Sequence, residues 1–184
     1  MSQFNGRLQE LLAGKKIVMT GVTGFIGEQL LWKILTELPD TTPSVLVRRK
    51  GSATARDRMI SVVKKEIFAD ARQAAGGPEA LLDARIEVLE GDLPNVPALP
   101  ADTDIVVHCA GDVSFDPPID QAFATNVVGT KALMERLIEA CSDDSGGHRA
   151  TADRVGASRT GEGGHRANPV PGLDRCLHLH QGSG

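Results

Sequence analysis

Apolar residues are distributed along the chain in two alternating patterns. Short runs without polar interruption, Ile17-Val18-Met19, Val45-Leu46-Val47 and Ile105-Val106-Val107, read as strands buried on both faces. Between them, apolar residues recur every three or four positions, as one face of a helix requires. The sets are Phe25, Ile26, Leu30, Leu31, Ile34, Leu35 and Leu38, then Met59, Ile60, Val62, Val63, Ile67 and Phe68, and finally Leu133, Met134, Leu137, Ile138 and Cys141. The pattern predicts a strand up to Thr20, a helix from about residue 25, a second strand over 44–47 and one long helix over 52–75 ended by Gly76-Gly77-Pro78. A third, alternating strand follows over Arg85–Glu90, a fourth over Asp104–Cys109 at the centre of the sheet, and a last helix over Gln121–Cys141. Leu8, Leu11 and Leu12 before Gly14 predict a short leading helix in residues 1–13. Strands alternating with helices in this way require an α/β fold, a parallel sheet with helices on both faces.

The junction of the first strand and helix carries the chemistry. Thr20-Gly21-Val22-Thr23-Gly24-Phe25-Ile26-Gly27 places three glycines three apart where the strand turns into the helix. Gly21 can take the positive φ of a sharp exit, Gly24 lets backbone approach a pyrophosphate, and Gly27 lets the helix lie close to the strand. Free N–H groups at the helix start favour an anion there, and Thr20 and Thr23 add hydroxyl donors. In this context the glycines predict a dinucleotide-binding, Rossmann-like doubly wound fold.

Charge sharpens the expectation at the end of the second strand. An acidic residue there would hold an adenosine ribose, whereas arginine accommodates a 2′-phosphate, and the chain has Arg48-Arg49-Lys50. Arg48 therefore predicts NADP(H), against the alternative that the three cations form a solvated loop. Gly91-Asp92-Leu93 closes the third strand, where Asp92 either caps its own turn or reaches the adenine. Cys109, Ala110 and Gly111 end the fourth, with small residues suited to the nicotinamide half of the cofactor. His108 reads as a satisfied buried histidine or a catalytic one, Cys109 as a core residue, and Asn126 as exposed or as holding a polar task. The candidate cofactor contacts are Gly21, Thr23, Gly24, Phe25, Ile26, Gly27, Arg48, Asp92, Leu93, Cys109, Ala110, Gly111 and Asn126, with no catalytic or metal-binding residue assigned.

The 184 residues carry a formal charge of -4 and three cysteines, Cys109, Cys141 and Cys176. Their wide spacing gives no disulfide framework, the charge gives no footprint for nucleic acid, and membrane association is not indicated. A cytoplasmic location is the expectation.

Residues 14–141 resemble the NAD(P)-binding part of the extended short-chain dehydrogenases, and more closely the fatty acyl-CoA reductases and thioester reductase domains of the male-sterility family. The glycine turn and Asp92 are shared with sugar-nucleotide epimerases and dehydratases. The basic segment Val47–Arg58, and His108-Cys109-Ala110-Gly111-Asp112-Val113-Ser114-Phe115-Asp116 with Asn126-Val127-Val128-Gly129-Thr130, point to the reductases. The resemblance implies reduction of a fatty acyl-CoA or other acyl thioester by NADPH to an aldehyde or alcohol. It also implies a serine or threonine acting with a tyrosine and a lysine one helical turn apart, and none of these carries over. The chain has no tyrosine and its last lysine is Lys131.

Beyond residue 144 the composition shifts. Residues 145–184 hold nine glycines, five arginines and four of the five histidines, without lysine, isoleucine, phenylalanine or methionine. Five leucines and valines in that stretch cannot bury much surface, so disorder is expected. The reading is a dinucleotide-binding portion over 14–144, cut off after about four strands, followed by an out-of-frame tail. The rival for the tail is a metal site at Cys176, His178 and His180. For the whole chain, the rivals are an NADP-dependent reductase and a non-catalytic nucleotide-binding fragment.

Overall fold

The computed structural model describes residues 9–143. Residues 9–12 are helical and Gly14, at φ +68°, turns the chain out of that leading segment. Strand β1 (Ile17–Thr20) leads through the glycine turn into helix α1 (Phe25–Glu37), and β2 (Ser44–Val47) follows. Helix α2 (Ala55–Val63), a 3₁₀ turn (Glu66–Phe68), α3 (Ala69–Ala75) and α4 (Pro78–Arg85) lead to β3 (Glu87–Glu90). Strand β4 (Ile105–His108) is followed by α5 (Ile119–Phe123), a π-helical turn (Ala124–Gly129) and α6 (Thr130–Asp143).

The four strands are parallel, in the order β3-β2-β1-β4. Met19 pairs with Val45 on one side and Val107 on the other, and Val45 with Val88. Strand alternation then divides the apolar residues between two layers. Ile17, Met19, Val45 and Val47 pack with Leu31 and Leu35 of α1, Met59 and Val63 of α2, Phe68, and Leu81 and Leu82 of α4. Val18 and Leu46 point the other way, to Leu93, Val96, Leu99 and Leu133 of α6. This is the doubly wound α/β sheet that the alternating pattern predicts.

Four expectations are corrected. The segment over 52–75 is not one helix: α2 stops at Val63, and a 3₁₀ turn drives Phe68 to full burial before α3 begins. Residues 78–85, to which the pattern assigned no element, form α4, started by Pro78 at its first turn and anchored by buried Leu81 and Leu82. Because α4 uses Arg85, β3 begins only at Glu87. Strand β4 is an edge of the described sheet rather than its centre, and its residues are half-buried instead of covered on both faces. The helix predicted over 121–141 is interrupted by the π-turn, whose wider backbone brings Asn126 toward the loop after β4. The tail, with Cys176, His178 and His180, lies outside the described residues.

Candidate dinucleotide site

The carboxyl ends of all four strands open on a cleft of about 480 Å³, where the strand order turns back between β1 and β4. Its floor is the glycine turn. Gly21 has φ +74° and lies against the end of β4, where a Cβ would come within 2.5 Å of the Ala110 nitrogen. Gly24 N–H donates to the Gly21 carbonyl at 2.9 Å and its own carbonyl accepts from Glu28 N–H at 3.0 Å, which starts α1. No side chain caps that helix start, so its first N–H groups are left for another acceptor. Gly27 packs onto the Gly21 carbonyl too closely to admit a Cβ.

The second wall is basic. Arg48 follows β2, and Arg58 reaches it from α2 by donating to the Arg48 carbonyl at 2.6 Å and to Thr23 Oγ1 at 3.2 Å. Partial burial, with the neighbouring Arg48 charge second, lowers the Arg58 pKa, and both guanidinium groups line the cleft. The placement of Arg58 is set by a capping box: Asp57 N–H donates to Thr54 Oγ1 at 3.1 Å and Thr54 N–H to the Asp57 carboxylate at 2.9 Å. The Thr54 hydroxyl also holds the Asp57 carboxyl below the usual carboxylate range. Arg58 was missed as a site residue by sequence reasoning. The signal was present, a Thr-x-x-Asp start placing the next residue on the first turn of the helix after β2.

The third wall comes from β3 and β4. Asp92 caps its own turn, accepting from Asn95 N–H at 3.2 Å, and still lines the cleft with Leu93. Cys109, Ala110 and Gly111 line the opposite side. Burial pushes the Cys109 thiol up, away from a reactive thiolate. His108 is satisfied at both ring nitrogens, by Thr20 Oγ1 at 2.7 Å from Nδ1 and Thr130 Oγ1 at 3.0 Å from Nε2, and burial lowers its pKa. The Thr20 hydroxyl, expected to donate toward a phosphate, is engaged with His108 instead.

Of the predicted contacts, Gly21, Thr23, Gly24, Arg48, Asp92, Leu93, Cys109, Ala110 and Gly111 converge on the cleft. Phe25 and Ile26 stand outside its lining, 82% and 64% exposed. Gly27 lies beneath it. Asn126 acts one step back: its side-chain oxygen accepts from Asp112 N–H at 2.7 Å and its amide donates to the Asp112 carbonyl at 2.9 Å. Ser114, first, and then Gln121 hold the Asp112 carboxyl low by hydrogen bonds.

Comparison with known proteins agrees with this geometry. The family model described as Male sterility protein, an NAD-binding domain, matches residues 19–145. The chain is 31% identical over 134 residues to fatty acyl-CoA reductase 1 of Xenopus laevis, covering 69% of this chain and 26% of that protein. To fatty acyl-CoA reductase 2 of Bos taurus it is 28% identical over 131 residues, covering 66% and 25%. It thus spans about a quarter of the length of these curated relatives. A thiolation-reductase di-domain from an archaeal non-ribosomal peptide synthetase shares the fold, with a TM-score of 0.52 at 22% identity over 71% of this chain and 30% of that one. A family match running from within β1 to just past α6 makes this chain a member of the Male sterility protein family of NAD-binding domains.

Proposed function

We propose that the cleft holds NADP(H) and that the chain is the nucleotide-binding part of a reductase acting on a fatty acyl-CoA or related acyl thioester. The observation that carries the cofactor reading is the pair Arg48 and Arg58, both lining the cleft where a ribose-binding acid would otherwise stand, with the Arg58 guanidinium donating to the Arg48 backbone carbonyl. Their planar forks suit a phosphate ester, and their proximity is unfavourable until an anion lies between them. The glycine turn fits a pyrophosphate. A Cβ at Gly24 would meet only the Gly21 carbonyl, at 3.3 Å, and otherwise project into free space that a phosphate can take.

In this reading the N–H groups of the turn bind the pyrophosphate, and Arg48 and Arg58 take the 2′-phosphate. Asp92 and Leu93 border the adenine, while Ala110 and Gly111 border the nicotinamide. When bound, NADPH supplies the hydride that reduces the thioester carbonyl. The residues of this chain bind and orient; the resemblance assigns proton donation to a tyrosine, and the chain has none. The acyl-thioester reading rests on the fatty acyl-CoA reductase relatives.

Titration of the purified chain by quenching of nicotinamide fluorescence tests the cofactor. NADPH is expected to bind about tenfold or more tighter than NADH, the equivalent of one charge-assisted phosphate contact. Arg48→Asp should narrow or reverse that preference. Equal wild-type affinities would remove the NADP assignment.

A further inference from the structure

The β4 side of the cleft is held by a chain of hydrogen bonds that neither the glycine turn nor the arginines require. Ala110 N–H donates to Thr20 Oγ1 at 3.2 Å, Thr20 Oγ1 meets His108 Nδ1, His108 Nε2 meets Thr130 Oγ1, and the Thr130 hydroxyl donates to the Asn126 carbonyl at 2.8 Å. Donor counting fixes its direction. Thr130 has one hydroxyl proton, given to Asn126, so it accepts from His108, and Nε2 carries the ring proton. A neutral ring then accepts at Nδ1, and Thr20 must be the donor there. Every polar atom in the series is satisfied by this one tautomer. At its far end Asn126 grips both backbone polar groups of Asp112, so the series joins the end of β1, β4, the π-turn and the loop that lines the cleft.

We propose that His108 is a positioning residue: neutral and protonated on Nε2, it sets the spacing between the glycine turn and the Gly111–Asp112 wall at which the cleft accepts its dinucleotide. The inference rests on the dinucleotide reading of the cleft. Protonation breaks the arrangement, because a proton on Nδ1 confronts a hydroxyl that already donates there. Thr20 is 1% exposed, so a hydroxyl turned away from the ring must find its acceptor inside the protein or the cleft. The charged side chains around the ring are engaged elsewhere. On α6, Lys131 pairs with Glu135 and Arg136 with Glu139; below β1 and β4, Lys15 pairs with Asp104 and Lys16 with Asp102; in the loop, Asp112 is bonded to Ser114 and Gln121. Burial is what acts on His108, and it favours the neutral ring. With the folded pKa below the ordinary 6.5, the series is complete at pH 7.5 and is lost as pH falls through that lowered value.

Two measurements test this on the full chain. The first, NMR of ¹⁵N-histidine-labelled protein without ligand, is independent of what the cleft binds, with the His108 signal assigned by its loss in His108→Gln. An Nε2–H tautomer at pH 7.5 is expected, and an Nδ1–H tautomer or an exchanging mixture would overturn the proposal. The second is NADP⁺ affinity by calorimetry at pH 7.5 and below the His108 pKa, as read from the same NMR signal on titration, for wild type, Thr130→Val and Thr130→Ser. Thr130→Val should weaken binding about tenfold at pH 7.5, Thr130→Ser should recover most of it, and acidification through the His108 pKa should close the gap between wild type and Thr130→Val as wild type too loses the series. A folded Thr130→Val with wild-type affinity, or a gap that persists below the His108 pKa read from the NMR titration, overturns the positioning role. Wild type that binds no NADP⁺ overturns the dinucleotide reading and this proposal with it, a failure told apart by an intact tautomer signal.

Discussion

Gly24 shows how a single missing side chain shapes the site. Its backbone closes the turn on Gly21 and caps α1, and a Cβ there would meet only the Gly21 carbonyl, at 3.3 Å. A valine there needs the Gly21 carbonyl to give by a few tenths of an ångström, and puts a branched group directly in the path of a phosphate. Gly24→Val should therefore abolish NADPH binding while the far-ultraviolet circular dichroism stays near wild type; retained affinity would show that no phosphate sits on this turn. Gly21 and Gly27 differ from Gly24 because their replacements would strike backbone, so their loss would be felt in folding first. The positive φ of Gly21 and the close packing of Gly27 were readable from spacing. The role of Arg58 was not, because one arginine among the many of residues 48–58 is singled out only by the capping box that aims it and by its bonds to Arg48 and Thr23.

The elements divide by how locally their structure is determined. Strands β1, β2 and β4 were legible because a short apolar run flanked by turns has few alternatives, and β1 to α1 because the glycines mark the switch. The segment after β2 was not, since apolar spacing runs unbroken through Val63 and Phe68. What divides it is tertiary. The turn at Glu66–Phe68 aims the phenyl ring into the layer that holds Met59, Leu82 and Met19, and Lys65 pairs with Glu28 of α1 across the same junction. Phe68→Ala should consequently cost about 3–5 kcal/mol, the range for a buried aromatic, read as a lower urea midpoint. A loss under about 1 kcal/mol would mean that the turn is held by its backbone alone. The π-turn is hidden for a related reason: the extra residue answers to Asn126 and Thr130 finding partners across space, at Asp112 and His108. Helix α4 is short, with two buried leucines, and only Gly77-Pro78 announced it.

At the scale of the molecule, the sheet order puts the cleft where a dinucleotide fold binds its ligand, and the residues of the chain supply its floor and walls. They do not supply a tyrosine. General acid catalysis is typically worth 10²–10⁴-fold and electrostatic stabilisation of the developing oxyanion more, so this polypeptide should not turn over a long-chain acyl-CoA with NADPH at a measurable rate. The assay is loss of nicotinamide absorbance, and steady turnover above the no-enzyme rate would reveal a proton donor of another kind. The two faces of the sheet are unequal. Among the described residues, the layer with α1, α2 and α4 contains fully buried leucines, methionines and Phe68, whereas the layer with α6 is built on a few residues around Leu93 and Leu133. Local opening follows burial, so among these elements the α6 side is expected to open before the other. The cleft draws Arg58 from the firm layer and Leu93 from the yielding one, and a molecule spanning it ties the two together. The nucleotide thereby becomes a fastener for the fold: at a hundredfold excess over its dissociation constant it adds about 2.7 kcal/mol against any opening that separates those walls.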